Sequence, residues 1–166
     1  MKKIAISTAL FLMFGAFSAN ATDLNTNVTV STTVKTPAKL SVVYTEGSPL
    51  PTSVTPNITV GELAISGYNG TPNYDDLNIT TPTGVAGHVQ LDRVSDGRGG
   101  ISYVWTSFTN KNGAGIKING KVSDKLTAAT GNMTAGSEVL YLKTMFNDTL
   151  NAGKYTGDIV VHLSNQ

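Results

Sequence analysis

Few side chains in this chain have the chemistry of a catalyst or a metal ligand. The 166 residues include two histidines and no cysteine. His88 and His162 both fall in stretches of alternating apolar and polar residues, where an imidazole ordinarily stands half-exposed on a sheet. Asp75-Asp76 ends a Gly/Asn/Pro-rich loop and could offer carboxylates to Ca²⁺ beside nearby Asn oxygens. Polar loops carry such pairs for turn chemistry as well. Asp92 and Asp96-Gly97 lack the regular alternation of oxygen ligands that a calcium loop needs, and Asp-Gly suits a hairpin. There is no Gly-rich phosphate loop, no His-x-x-x-His pair and no nucleophile elbow. Without cysteine, thiol catalysis, thiolate metal sites and disulfide frameworks are excluded. The reading is of a chain that is not an enzyme and takes no cofactor or metal.

Aromatic residues offer a different chemistry. Tyr103 and Trp105 share one face of a strand, with Val104 and Phe108 on the other. Either Trp105 packs into the core, as a lone strand Trp often does, or it joins Tyr103 on a receptor-binding surface where rings stack on sugars or anchor an interface.

The elements that would position these residues are strands. Leu40–Tyr44, Ile58–Ser66 (one or two strands broken at Gly61), Leu77–Thr80, His88–Val94, Ile101–Phe108 and Tyr155–Ser164 all read as β. Glu138–Phe146 fits a strand or a short helix, with Val139-Leu-Tyr-Leu favouring strand. Asp96–Gly100 reads as a hairpin connection, and Ile116–Val122 as a tight hairpin around a type I′ turn at Asn119-Gly120. Short strands punctuated by turn residues predict an all-β sandwich.

Residues 1–21 read as a signal peptide. Lys2-Lys3 form the basic start, Ile4–Phe17 the apolar stretch, and Ala19-Asn20-Ala21 the cleavage site. The apolar stretch is shorter than the roughly 20 residues of a spanning helix. Cleavage would leave 145 of the 166 residues, and 10 basic against 11 acidic residues after loss of Lys2 and Lys3. Near-neutral charge gives nucleic acid or an anionic membrane nothing to hold. A charged fraction of 14% against a typical value of about 25% leaves Thr, Asn, Ser and Gly to cover the surface.

Residues 22–36 follow as an extension. Leu24, Thr26, Val28, Val30, Thr32 and Val34 alternate with Asn25, Asn27, Thr29, Ser31 and Thr33, a strand with one apolar face to bury. Residues 37–166 form the sandwich domain.

Three segments carry a family resemblance. Asn27–Val34 leads to Pro37; Glu46-Gly-Ser-Pro-Leu-Pro-Thr-Ser-Val54 follows; Ala152-Gly-Lys-Tyr-Thr-Gly-Asp-Ile-Val-Val-His-Leu163 closes the chain. In this order they resemble the class 5, CFA/I-like (alpha-clade) fimbrial subunits of the chaperone–usher pathway, and the major subunit in particular. The resemblance implies an immunoglobulin-like sandwich lacking its last strand. A periplasmic chaperone first fills the gap, and at the outer-membrane usher the extension of the next subunit replaces it. Leu24, Val28, Val30, Thr32 and Val34 would then fill the groove. The four aliphatics among them would contribute on the order of 6–12 kcal/mol per junction, as an upper bound. Tyr155, Gly157, Ile159, Val161 and Leu163 would edge the groove and meet the chaperone. The implied product is an extracellular fimbrium that supports adhesion to host cells, with related pilins, a tip adhesin and a host receptor as further partners. The other reading is a minor subunit or adhesin that itself binds a host glycan or protein.

Overall fold

The computed structural model describes residues 39–94 and 102–164. The leader, the extension at 22–36 and the Asp96–Gly100 connection lie outside the described residues.

Strand periodicity is read directly in burial. Along β3 (Thr59–Ser66), Gly61, Leu63 and Ile65 point inward, and the residues between them face out. Along β7 (Ser137–Thr144) the inward set is Glu138, Leu140, Leu142 and Thr144. The stretch after Ile58 is a single strand, Thr59–Ser66, rather than two. The register slips between Thr59 and Gly61, where a Cβ on Gly61 would collide with the Tyr44 phenol. Residues 138–144 are strand, as Val139–Leu142 favoured, and the last two residues of the expected segment, Met145 and Phe146, lie beyond its end; this strand runs through the middle of the sheet.

The described residues form ten strands: β1 (Ser41–Glu46), β2 (Ser53–Val54), β3, β4 (Leu77–Thr80), β5 (Val89–Arg93), β6 (Tyr103–Thr109), β7, β8 (Asp148–Thr149), β9 (Tyr155–Thr156) and β10 (Val160–Leu163). Six make one sheet in the order β1-β3-β7-β6-β5-β9, and every neighbouring pair is antiparallel. β10 pairs with β4, and β2 with β8. The closing stretch is therefore two strands. β9 ends the large sheet beside β5, and β10 crosses to β4. Gly157 allows the crossing, because a Cβ there would lie 2.8 Å from the Gln90 carbonyl oxygen.

The core fills the space between layers. Leu63, Ile65, Val89, Val104, Phe108, Leu140 and Leu142 come from the large sheet, while Leu77, Ile79, Ile116, Ile118 and Met133 face them. The Asn119-Gly120 turn has the two positive φ angles of type I′, 48° and 80°. Its arms pair only as a single bridge, Ile118 with Lys121. The turn is held by β4 and the residue after it instead: Asn119 N–H donates to the Ile79 carbonyl at 2.8 Å, Asn119 Oδ1 accepts from Thr81 N–H at 3.0 Å, and Asn119 Nδ2 donates to the Thr81 carbonyl at 3.2 Å. One side chain thus mimics a strand partner. The architecture is all-β, a curled antiparallel sheet with an immunoglobulin-like arrangement.

Candidate functional site

An open cleft of about 1010 Å³ lies between the two ends of the large sheet. One wall is β1, through Val42, Tyr44 and Glu46; the other is the run 151–161, which carries β9 and the start of β10. Leu63, Val89, Leu91, Val104, Phe108 and Leu142 form the floor. The floor is nearly closed beneath its walls, so the apolar surface that meets water belongs to the rim. Val42 is 40% exposed, Tyr44 46% and Val160 54%. Burial and the carboxylate of Glu46 both push the Tyr44 hydroxyl above its ordinary pKa.

The backbone on these walls is as open as the side chains. β1 pairs only with β3, and β9 only with β5; among the described residues no strand takes the far edge of either. Unpaired edges beside an apolar trough form a template for another strand. Alternating antiparallel pairing along six strands makes β1 and β9 run in opposite directions. A strand entering between them would lie parallel to one and antiparallel to the other.

Of the residues expected to edge a groove, Tyr155, Gly157, Ile159 and Val161 line this cleft. Leu163 sits farther along β10, opposite Leu77, and packs against the core. Leu24, Val28, Val30, Thr32 and Val34 lie outside the described residues. Leu50, Pro51 and Leu150 also line the cleft. Only the three-dimensional closure of the sheet shows their role, although Leu50-Pro51 lies in the segment that carried the family likeness.

Tyr103 and Trp105 stand on the outer face, opposite Val104 and Phe108. Trp105 is half-buried there and does not join the core cluster, so of the two alternatives the core position is not the one it takes. Phe108 takes the central core position instead. His162 is exposed on β10, whereas His88 is buried, its Nε2 3.0 Å from Ser123 Oγ. Asp75 and Asp76 do structural work. Asp75 Oδ1 pairs with Lys117 Nζ at 2.8 Å, and Asp76 Oδ2 accepts the Asn73 backbone N–H at the start of a 3₁₀ turn. No group of three or more metal-ligating side chains occurs among the described residues. None of their helices is long and apolar enough to cross a membrane.

No family model matches the chain. It is 28% identical over 173 aligned residues to the F1 capsule antigen of Yersinia pestis, and the match covers all of both chains. Its fold is similar to that of HdaB, the minor tip subunit of the E. coli Hda pilus. The TM-score is 0.53 at 8% identity, over 74% of this chain and 80% of that one. At 8% identity the second likeness is one of fold alone.

Proposed function

We propose that this chain is a structural subunit of a cell-surface fimbrial polymer, exported by its leader and joined to its neighbours by strand donation. The observation that carries the reading is the open apolar cleft between β1 and β9, which has room and hydrogen-bonding edges for one missing strand. The alternating segment Leu24–Val34 has the matching pattern, with Leu24, Val28, Val30, Thr32 and Val34 as the inserted side chains. A periodic chaperone strand against Tyr155–Val161 would protect the cleft in the periplasm until an outer-membrane usher exchanges it.

The link to β1 limits which orientations the segment can take within its own chain. Only six residues, 35–40, separate Val34 from β1. So short a link can form a hairpin antiparallel to β1, whereas a parallel placement needs a crossover of about a dozen residues or more. The parallel orientation is open only to a strand from another molecule. Placement in the class 5 clade, and as its major subunit, rests on the three sequence segments alone.

The test is Val30→Asp. A buried, unpaired carboxylate should prevent insertion of the strand and abolish polymers, while the variant's own cleft still accepts a wild-type strand. Coexpressed with the wild type, it should cap and shorten fibres seen by negative-stain microscopy. Normal polymers from the variant alone would overturn the reading; wild-type fibres of unchanged length in the mixture would overturn donation between copies.

A further inference from the structure

Four rings stand in a row on the outer face of the large sheet, away from the cleft. Tyr103 meets Trp105 edge to face, with centroids 5.5 Å apart and planes at 70°. Trp105 meets His88 at 6.1 Å, and His88 meets Phe146 at 5.7 Å. The ends of the row are open, Tyr103 at 41% exposure and Phe146 at 37%. Beside the Tyr103 end runs a polar pair. Register sets Gln90 opposite Trp105 and Asp92 opposite Tyr103, so all four share one face. Gln90 Nε2 donates to Asp92 Oδ1 at 2.6 Å, which fixes the two side chains against each other.

This combination selects among occupants. β5 and β6 are paired with each other through these four residues, so an occupant of this face meets their side chains rather than the backbone between them. A purely apolar partner would bury the Gln90–Asp92 pair with its remaining donors and acceptors unmet, which is costly. A sugar ring has an apolar C–H face and a rim of hydroxyls that both donate and accept. It can lie on an aromatic shelf while its hydroxyls meet a carboxylate and an amide. The Asp92 charge repels a carboxylate on the ligand.

We infer that this face binds a neutral glycan, one sugar ring on the Tyr103–Trp105 shelf and its hydroxyls on Gln90 and Asp92. The site is independent of the cleft, so every copy in a polymer would carry one. Weak single contacts would then add through multivalency.

Trp105 is the only tryptophan in the chain, so its emission reports this site alone. The assembled wild-type protein is titrated with lactose, maltotriose and chitotriose, and with sialyllactose as the acidic counterpart. At least one neutral oligosaccharide should give a saturable change in emission, with sialyllactose weaker. Tyr103→Ala should weaken binding by about tenfold or more while fibres still assemble, and Asp92→Asn should narrow the gap between lactose and sialyllactose. The inference fails if no neutral probe gives a saturable change, or if Tyr103→Ala binds as tightly as the parent. It also fails if sialyllactose binds as well as its neutral counterpart. The Val30→Asp assembly assay does not involve this face, so each proposal can fail without the other.

Discussion

Val42 and Glu138 lie in one row on the inner face of the large sheet, joined through Ile65. Their burial is the inverse of their chemistry: the valine is 40% exposed and the carboxylate only 4%. Around Glu138 the structure closes on itself with side chains. The carboxylate accepts the Thr134 backbone N–H at 2.7 Å and the Tyr74 hydroxyl, Asn110 supports that hydroxyl, and Tyr68 donates to the Thr134 carbonyl at 2.6 Å. Two loops are thereby sealed onto β7. At the Val42 end there is no such closure, because what is open is a strand edge above an apolar trough. Side chains can satisfy scattered backbone groups; a continuous ladder needs another backbone. Among the described residues, one end of the sheet is closed by its own side chains and the other leaves a strand edge open.

Three measurements would break or sharpen this contrast. The largest effect is expected at the closed end. Glu138→Ala leaves the Tyr74 hydroxyl and the Thr134 N–H buried without their acceptor, at a cost of about 3 kcal/mol. Denaturant unfolding should show a lower midpoint in the isolated subunit and in the polymer alike. An unchanged midpoint would mean that these groups find other partners.

The second measurement is alkaline unfolding. Burial, with the nearby Glu138 carboxylate, pushes Tyr68 and Tyr74 from 10.0 up to about 12. The folded state thus favours the neutral phenols. Their contribution is complete below pH 10 and is lost as pH rises through 12. The thermal midpoint should be level to about pH 9 and fall beyond 10, and Tyr74→Phe should flatten the fall. A midpoint level through pH 12 would show that the closed end is more open than its geometry implies.

The smallest effect is expected at the open end, where it depends on assembly. Val42→Ala removes a half-exposed side chain and should cost the isolated subunit within about 0.5 kcal/mol. In the polymer the same change should cost about 1 kcal/mol or more, since the inserted strand would bury that side chain. Equal costs in the two states would mean that the cleft is not filled.

Local pattern carried much of the fold. The two-residue period gave the strands their inward and outward faces, and Asn119-Gly120 set the positive φ angles of its turn. Both depend only on neighbours along the chain. Three features were decided elsewhere. Trp105 lies outside the core because β6 turns Val104 and Phe108 inward, and alternation alone cannot say which of two apolar faces wins. The last stretch divides because Gly157 passes close over the Gln90 backbone, a contact between residues 67 positions apart. Glu138 is buried because three distant side chains and one N–H converge there.

The same division holds for the candidate site. The sequence by itself determined that Leu24–Val34 has an apolar face needing a partner, and that Tyr155–Val161 alternates. The gap between β1 and β9 exists only once six antiparallel strands are ordered and curled. A vacancy in a sheet is a property of long-range pairing, and no single segment of the chain encodes it.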